Sequence, residues 1–141
     1  MTIIRQPLAT HETHLSVIRL PVDRLVLAKR RWRGVAEDGA EFGFDLESPL
    51  PDGAAVYHNA SAVYLIAQKY EPVFEVTLGT DSPTAARLGW MIGNLHFALQ
   101  IVDGVVRVTD DPAVRQLFER EGIPFTSCKR VFRPLSGGHH H

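Results

Sequence analysis

Apolar and polar residues alternate in short runs through the first half of the chain. Turn-forming Asp-Gly pairs separate several of these runs, at Asp38-Gly39 and Asp52-Gly53. Alternation with a period of two indicates β-strands with one buried face, and an Asp-Gly pair favours a two-residue hairpin. We therefore predict a small all-β domain with a two-residue hairpin at Asp38-Gly39. The expected strands lie in the segments HLSVIRL, RLVLA, RWRGVAE, AEFGFDL, AAVYH and AVYLIAQ.

The pattern changes after Pro72, where longer amphipathic segments interrupt the strands. Apolar Val114, Leu117 and Phe118 recur at helical spacing, which predicts a helix with one face on a sheet. Apolar runs of strand length lie before and after each helical segment. The predicted order is strand, helix, strand, strand, helix, strand, at residues 73–78, 83–96, 98–102, 105–109, 112–121 and 126–132.

Capping residues support the boundaries of both helices. Ser82-Pro83 and Asp111-Pro112 each offer a side-chain oxygen at the N-cap and a proline at the first helical position, where its missing N–H costs nothing. Gly122 is positioned to end the second helix. Asp103-Gly104 is predicted to join the two middle strands as a tight hairpin. This βαββαβ order is typical of a ferredoxin-like domain.

The fold class that follows is α+β, with a small N-terminal all-β domain followed by a ferredoxin-like βαββαβ domain. We place the first domain at residues 1–71 and the second at residues 72–135. Residues 136–141 form a flexible histidine-containing tail or tag. Because each domain is small by the standards of independent stability, mutual support or dimer formation is expected.

Composition narrows the functional class. The 141 residues carry a formal charge of -1, from 15 basic and 16 acidic residues, and 45% are hydrophobic. This balance provides a core but no global attraction to nucleic acid or to anionic membranes. The N-terminus lacks the apolar segment of a secretory signal, so we expect a cytoplasmic protein. A single cysteine, Cys128, forms no intrachain disulfide and cannot alone make a thiolate metal site.

The segment PTAARLGWMIGNLH holds the most informative pattern. On a regular helix Ala86, Gly89, Gly93 and His96 fall on one stripe, which is short of large side chains. Each interior glycine costs roughly 1 kcal/mol relative to alanine, so we look for a compensating close approach of another backbone. A two-fold axis near the end of this stripe would bring two copies of His96 together. Spacing alone favours a plainer alternative, in which His96 caps the helix and the glycines pack within their own domain.

Other histidines give weaker signals. His11 and His14 flank Glu12 and would suit a metal ion on a helix, but they precede a strand and such residues are usually solvated. His58 adjoins the NAS turn, where a surface position is the ordinary expectation.

Three histidines end the sequence. His139, His140 and His141 follow a Gly-Gly pair, and imidazoles on a flexible segment can gather nickel, copper or zinc. The same arrangement fits a purification tag, and the two explanations stay open.

The cluster KRRWR at residues 29–33 is basic with an aromatic residue inside it. In a strand Arg31 and Arg33 share one face and Trp32 takes the other. The pattern is compatible with an acidic partner, although a solvated strand edge with a core tryptophan is the more common arrangement.

In the order of its motifs the sequence resembles the UreE family of urease accessory proteins, the nickel metallochaperones of urease maturation. The most specific likeness is LGWMIGNLH followed by FALQIVDG, which is similar to the family's helix segment ending in Gly-Asn-x-His. RWRGVAEDGAEFGFDL, LPDG and YEPVFEV resemble the first domain and its junction in the same order. The resemblance covers most of the chain. It implies a partner-binding β domain followed by a ferredoxin-like domain for metal binding and dimerisation.

The resemblance further implies a homodimer in which His96 meets its symmetry mate and binds Ni²⁺ between the subunits. The terminal histidines would be an abbreviated form of the histidine-rich end that many members carry. The implied partners are the GTPase UreG and the urease apoprotein complex. Where some members have further histidines after the second hairpin strand, this chain has TDDPAV, which weighs against a second metal site.

The implied function is delivery of nickel for assembly of the urease active site, by metal exchange and not by catalysis, without an organic cofactor. Copper binds nitrogen ligands more tightly than nickel, so Cu²⁺ and Zn²⁺ are expected to compete. Acylphosphatase-like hydrolases share the βαββαβ order and need an arginine in the anion-binding loop after the first strand. Here that loop reads GTDSP, with Asp81 instead of a cation, so no enzyme activity is expected. The alternative is a non-metallated protein-binding module with a ferredoxin-like dimerisation domain, which the fold alone does not exclude.

Overall fold

The computed structural model describes residues 1–136, so the three terminal histidines lie outside the described residues. The chain divides into two compact units, Met1–Lys69 and Tyr70–His141. The fold is α+β as the sequence predicts, because a unit built mainly from sheets precedes a unit of alternating strands and helices. Within residues 1–136, no helix has both the length and the apolar character that crossing a membrane requires.

The first unit contains two three-stranded sheets and one short helix. Its elements are β1 (Thr2–Ile4), β2 (Ser16–Val22), α1 (Arg24–Leu27), β3 (Arg31–Val35), β4 (Glu41–Asp45), β5 (Ala55–His58) and β6 (Ala62–Gln68). In one sheet, β4 lies between a parallel β1 and an antiparallel β3. In the other, β6 lies between a parallel β2 and an antiparallel β5.

Aromatic side chains form the core of the first unit. Trp32 and Phe44 are direct neighbours across β3 and β4, and their rings stack with centroids 3.8 Å apart. The ring of Phe42 contacts that of Tyr64 at 5.1 Å. The Tyr64 hydroxyl donates a hydrogen bond to Asp38, which lowers the pKa of the Asp38 carboxyl and raises the pKa of Tyr64. The predicted alternation at β3 is confirmed, since Trp32 is buried between two exposed arginines.

The segment RLVLA forms the one-turn helix α1, so the predicted strand is wrong. Asp23 caps this helix, because its Oδ1 accepts a hydrogen bond from the Leu25 N–H at 3.1 Å. An apolar run this short has no period that distinguishes a helix from a strand, and the capping aspartate was the available signal.

The hairpin between β3 and β4 also differs in detail from its prediction. Its loop is longer than two residues, because the Ala36 N–H donates to the Ala40 carbonyl at 2.9 Å and Val35 pairs with Glu41. Within the loop only Gly39 takes a positive φ, of 88°, whereas the type I′ turn typical of an Asp-Gly pair would need two such residues. The Asp-Gly pair therefore marks the hairpin correctly but not its loop length.

The second unit is a four-stranded antiparallel sheet with two helices. Its elements are β7 (Glu71–Thr77), α2 (Ser82–Asn94), β8 (Leu99–Val102), β9 (Val105–Thr109), α3 (Pro112–Glu121) and β10 (Thr126–Arg130). The strand order is β10-β7-β9-β8, and every neighbouring pair is antiparallel. This order confirms the ferredoxin-like arrangement. Asp103 and Gly104, with φ of 49° and 75°, make the predicted two-residue turn between β8 and β9.

Both helices pack on one face of this sheet. On β7 the buried Phe74 and Val76 flank Glu75, and on β9 the buried Val106 and Val108 flank Arg107. Because side chains alternate between the faces of a sheet, the four apolar side chains lie on the face that the helices cover. Their partners from α2 and α3 are buried Leu88, Ile92, Val114, Leu117 and Phe118. The opposite face of the sheet is left for another covering element.

The helix boundaries were predicted correctly for α3 and imperfectly for α2. Asp111 accepts a hydrogen bond from the Ala113 N–H at 2.8 Å, and Gly122 ends α3 in the left-handed conformation. In α2 the N-cap is Asp81 and Ser82 is already helical, so the predicted Ser82 cap is wrong. The Asp81 carboxylate accepts a hydrogen bond from the Thr84 hydroxyl. It accepts none from the backbone N–H groups of the helix.

Candidate metal centre

His96 lies just beyond the end of α2. The helix stops at Asn94, whereas the sequence predicted it to continue through residue 96. The Phe97 N–H points back to the Ile92 carbonyl at 3.4 Å, and the His96 N–H donates to the Gly93 carbonyl at 2.9 Å. This pair of bonds is the Schellman arrangement that closes many helices. The chain therefore turns away from the helix axis at His96.

In that arrangement His96 occupies the position at which glycine is most common. Its φ is 65°, a left-handed conformation that costs an L-residue with a Cβ roughly 1–2 kcal/mol. Histidine tolerates this region better than most residues, but glycine would adopt it without strain. The His96 side chain is exposed and contributes nothing to the core. A strained backbone that presents a polar side chain to solvent is typical of a functional position.

The glycines of α2 do not serve packing within their own unit. A Cβ added at Gly93 would meet nothing within 4 Å, and one added at Gly89 would touch only the Leu99 side chain at 4.0 Å. The plainer alternative is therefore confirmed in one part and wrong in the other: His96 does end the helix, but the two glycines do not both pack inside their own domain. Trp90, on the same open side, is 65% exposed. Helix α2 thus presents a surface without large side chains at Gly89 and Gly93, beside the exposed indole of Trp90.

The described residues of one chain do not assemble a complete metal site. Within residues 1–136, no group of three or more histidine, cysteine, aspartate or glutamate side chains is arranged to hold an ion. His14 lies 3.2 Å from Glu12, and both side chains are about three-quarters exposed. His11 and His58 are exposed as well. Within residues 1–136, His96 is therefore not part of a group of three or more such side chains.

The chain after β10 crosses the face of the second sheet that the helices leave open. We call residues 131–135 the C-terminal strap. The Arg107 side chain donates to the Val131 carbonyl at 3.3 Å, and Gln100 Oε1 accepts from the Arg133 N–H at 3.0 Å. The Leu135 N–H then donates to the Leu99 carbonyl at 2.7 Å. The strap thus delivers the chain end to the start of β8, three positions after His96.

A largely buried ion pair beneath the strap fixes it to the sheet. Arg107 Nη2 lies 2.7 Å from Glu75 Oε2, and the two side chains are 11% and 14% exposed. Burial acts to raise the pKa of Glu75, but the hydrogen bonds from Arg107 and Cys128 and the charges of Arg107 and Arg130 outweigh it, so the pKa is lowered. Arg107 also donates to Gln100 at 3.2 Å, which links the pair to the strap.

Cys128 belongs to this network and not to the metal centre. Burial, and next its hydrogen bond to Glu75, raise the pKa of the Cys128 thiol. Because the thiolate is the form that binds metals, a raised pKa makes Cys128 a poor ligand. Sequence reasoning missed both the strap and its anchor. The available signal was Arg107 itself, a charged residue inside an otherwise apolar strand.

Fold and site together define a class: two-unit α+β proteins in which a ferredoxin-like unit presents an exposed histidine at the end of its first helix. Residues 71–141 match the family model described as the UreE urease accessory protein, C-terminal domain. The chain therefore belongs to the UreE family of urease accessory proteins, and its role is an accessory one in urease maturation.

Individual relatives agree over most of the chain. The urease accessory protein UreE of Pseudomonas fluorescens (strain SBW25) is 31% identical over 121 residues, which cover 81% of this chain and 72% of the relative. UreE 2 of Pseudomonas syringae pv. syringae (strain B728a) is 28% identical over the same shares. UreE of Chelativorans sp. (strain BNC1) is 27% identical over 85% of this chain and 77% of its own length.

Proposed function

We propose that this protein is a nickel metallochaperone whose His96 forms half of a metal site at a homodimer interface. One observation carries the proposal: an exposed imidazole is held at a left-handed helix end, where a glycine would be less strained. The family's accessory role in urease maturation makes nickel the metal to be delivered. The protein binds and releases the ion and performs no catalysis.

The open side of α2 supports the dimer. Gly93 leaves free space above the last turn of the helix, and Trp90 supplies apolar area that a partner would bury. If a two-fold axis passes near this turn, every contact between the two α2 helices occurs twice. The same axis brings His96 of one protomer towards His96 of the partner subunit. Two imidazoles then face one another, which supplies the ligands that one described chain lacks.

The chemistry of such a site suits transfer. Neutral imidazole binds Ni²⁺, Cu²⁺ and Zn²⁺, and a site with few protein ligands leaves positions for water or for a recipient's side chains. Incomplete coordination favours release. The GTPase UreG and the urease apoprotein complex are the proposed recipients.

The strap extends this proposal to the chain end. Leu135 is bonded to Leu99 at the start of β8, and His139 follows Leu135 by four positions in the sequence. If His139, His140 and His141 are native, we propose them as additional ligands for a metal ion at His96.

The first prediction concerns His96→Ala. We expect the parent dimer, prepared without histidines after residue 136, to bind about one Ni²⁺ with micromolar-range affinity, and the variant to lose this event. His58→Ala is the matched control, because it removes an exposed imidazole from the first unit and should bind nickel like the parent. Isothermal titration calorimetry measures all three proteins.

The outcomes separate the two functions considered from the sequence. Equal nickel binding by His96→Ala and His58→Ala would place the metal elsewhere and refute the His96 site. Absence of any binding by the parent would favour the non-metallated binding module.

A further inference from the structure

Strand β10 forms one edge of the second sheet, with β7 as its one partner among the described strands. At the two ends of β7, the Pro72 carbonyl accepts from the Asp110 N–H at 3.3 Å and the Leu78 N–H donates to the Gly104 carbonyl at 2.8 Å. Both bonds run to the β9 side. Because backbone groups alternate in direction along a strand, the even-numbered residues of β7 bond to β9 and the odd-numbered ones face β10.

The register of the pair then identifies the free backbone groups of β10. Thr126, Cys128 and Arg130 lie opposite odd-numbered residues of β7 and make the bonds to it. Ser127 and Lys129 therefore direct their N–H and C=O groups away from the sheet. The Arg130 guanidinium reaches the Lys129 carbonyl from that side, at 2.9 Å. Ser127 thus offers a donor and an acceptor at the edge, and Lys129 offers a donor.

Two cations lie on the same side of this edge. Ser127 is opposite Phe74, so its side chain and that of Lys129 are on the face that the helices cover. On that face the Arg115 guanidinium of α3 lies 5.0 Å from the ring centroid of Phe74 and 5.4 Å from that of Phe125. Stacking on aromatic rings holds a guanidinium in place and leaves its N–H groups for a carboxylate.

These two cations lack counter-ions. Arg115 and Lys129 are exposed, and within residues 1–136 neither forms an ion pair. A lysine at a sheet edge discourages pairing with unrelated strands. A strand that carries acidic side chains meets no such obstacle, because its carboxylates supply the missing counter-charge.

We propose that β10 binds an extended, acidic segment of a partner protein as a fifth strand of the second sheet. Main-chain hydrogen bonds to Ser127 and Lys129 attach the segment, and the charges of Arg115 and Lys129 select its carboxylates. A peptide is favoured over RNA because its backbone matches the free N–H and C=O groups. The ring of Phe74 beneath Arg115 is buried and offers no surface for base stacking.

This inference goes beyond nickel binding and does not depend on it, because neither His96 nor the C-terminal strap contributes to the β10 edge. Failure of the proposed metal site would leave the strand site intact, and the reverse also holds. Calorimetry with Ni²⁺ on the variants below distinguishes the two failures.

The first test uses the full chain and a fluorescent peptide that alternates glutamate with threonine. We expect fluorescence anisotropy to show salt-dependent binding that weakens about tenfold or more in Arg115→Glu. Arg120→Glu is the matched control, since it makes the same charge change at an exposed arginine of the same helix and should bind like the parent.

A second variant tests the strand edge itself. Ser127→Pro removes a backbone N–H that points away from β7, so the variant should fold with its sheet intact and bind the peptide about tenfold or more weakly. Circular dichroism and urea unfolding check the fold. A peptide of the same sequence with every amide N-methylated keeps the charges and loses the donors, so it should bind weakly to the parent.

Four results would overturn the proposal. Unchanged binding by Arg115→Glu would exclude the cations, and equal binding of the methylated peptide would exclude strand addition. Tighter binding of a single-stranded RNA oligonucleotide than of the acidic peptide would assign the edge to nucleic acid. Loss of self-association in Ser127→Pro, measured by sedimentation, would instead make a second copy of the chain the occupant of β10.

Discussion

At the scale of single residues, His96 is set apart by its backbone as much as by its imidazole. The sequence predicted its importance through helical spacing, but spacing assumes that the helix continues. The structure ends α2 at Asn94 and turns His96 into the left-handed region. That conformation was not predictable from composition or period, because it is fixed by bonds to the Ile92 and Gly93 carbonyls that the turn itself creates.

This geometry predicts opposite effects of His96→Gly on stability and on function. Both His96→Gly and His96→Ala should lose the proposed nickel site. The glycine variant should nevertheless be about 1 kcal/mol more stable than the alanine variant, because glycine takes a φ of 65° without strain. Urea unfolding of the two variants measures the difference. Equal stabilities would show that the left-handed conformation at residue 96 carries no strain.

At the scale of elements, local patterns predicted what local interactions determine. β9 and α3 have the predicted bounds, because a clear period and explicit caps define them. The sequence did not predict β1, because its three residues form a strand only by pairing in parallel with β4, which is distant in sequence. The C-terminal strap was not predicted either, because it too depends on distant residues. Its conformation depends on Gln100 and Arg107, which are far from it in sequence.

The ion pair beneath the strap predicts a pH-dependent variant. Glu75→Gln leaves the largely buried Arg107 without its counter-charge and should cost about 3 kcal/mol near neutral pH. The folded-state pKa of Glu75 lies below its unfolded value. The contribution of the ionised group is therefore complete above the unfolded pKa and is lost as the pH falls through the folded pKa.

The expected result is that the stability gap between the parent and Glu75→Gln narrows in acid. Urea unfolding of both proteins from about pH 7 down to about pH 3 measures this gap. A gap of constant size over that range would mean that the Glu75 charge does not contribute to the difference.

At the scale of the whole molecule, the homodimer proposed above depends on the surface of α2 at Gly93 and Trp90, which no side chain of the described residues covers at Gly93. The sequence predicted the ferredoxin-like topology and the unusual glycines of α2. It could not show that Gly93 faces open space, because this depends on where every neighbouring element packs.

Gly93→Val tests whether that open space belongs to a dimer. The monomer should fold normally, since an added Cβ at this position meets nothing within 4 Å and valine is a better helix former than glycine. The dimer dissociation constant should rise by about tenfold or more, because the side chain fills the space that a partner helix needs.

Sedimentation velocity over a dilution series measures the dissociation constant. Gln116→Val, which places the same side chain at an exposed position of α3, is the control and should dimerise like the parent. An intact Gly93→Val dimer at the lowest concentrations would contradict a close helix contact at this position.

The C-terminal strap also has a consequence for protein engineering. Any peptide fused after Ser136 leaves the fold next to Leu99, tethered by a few residues to the segment that carries His96. A group on so short a linker has an effective concentration in the millimolar range, so even a weak metal ligand fused there competes for the ion. A polyhistidine tag at this end would compete with or add to the metal site proposed at His96, so affinity tags belong at the N-terminus.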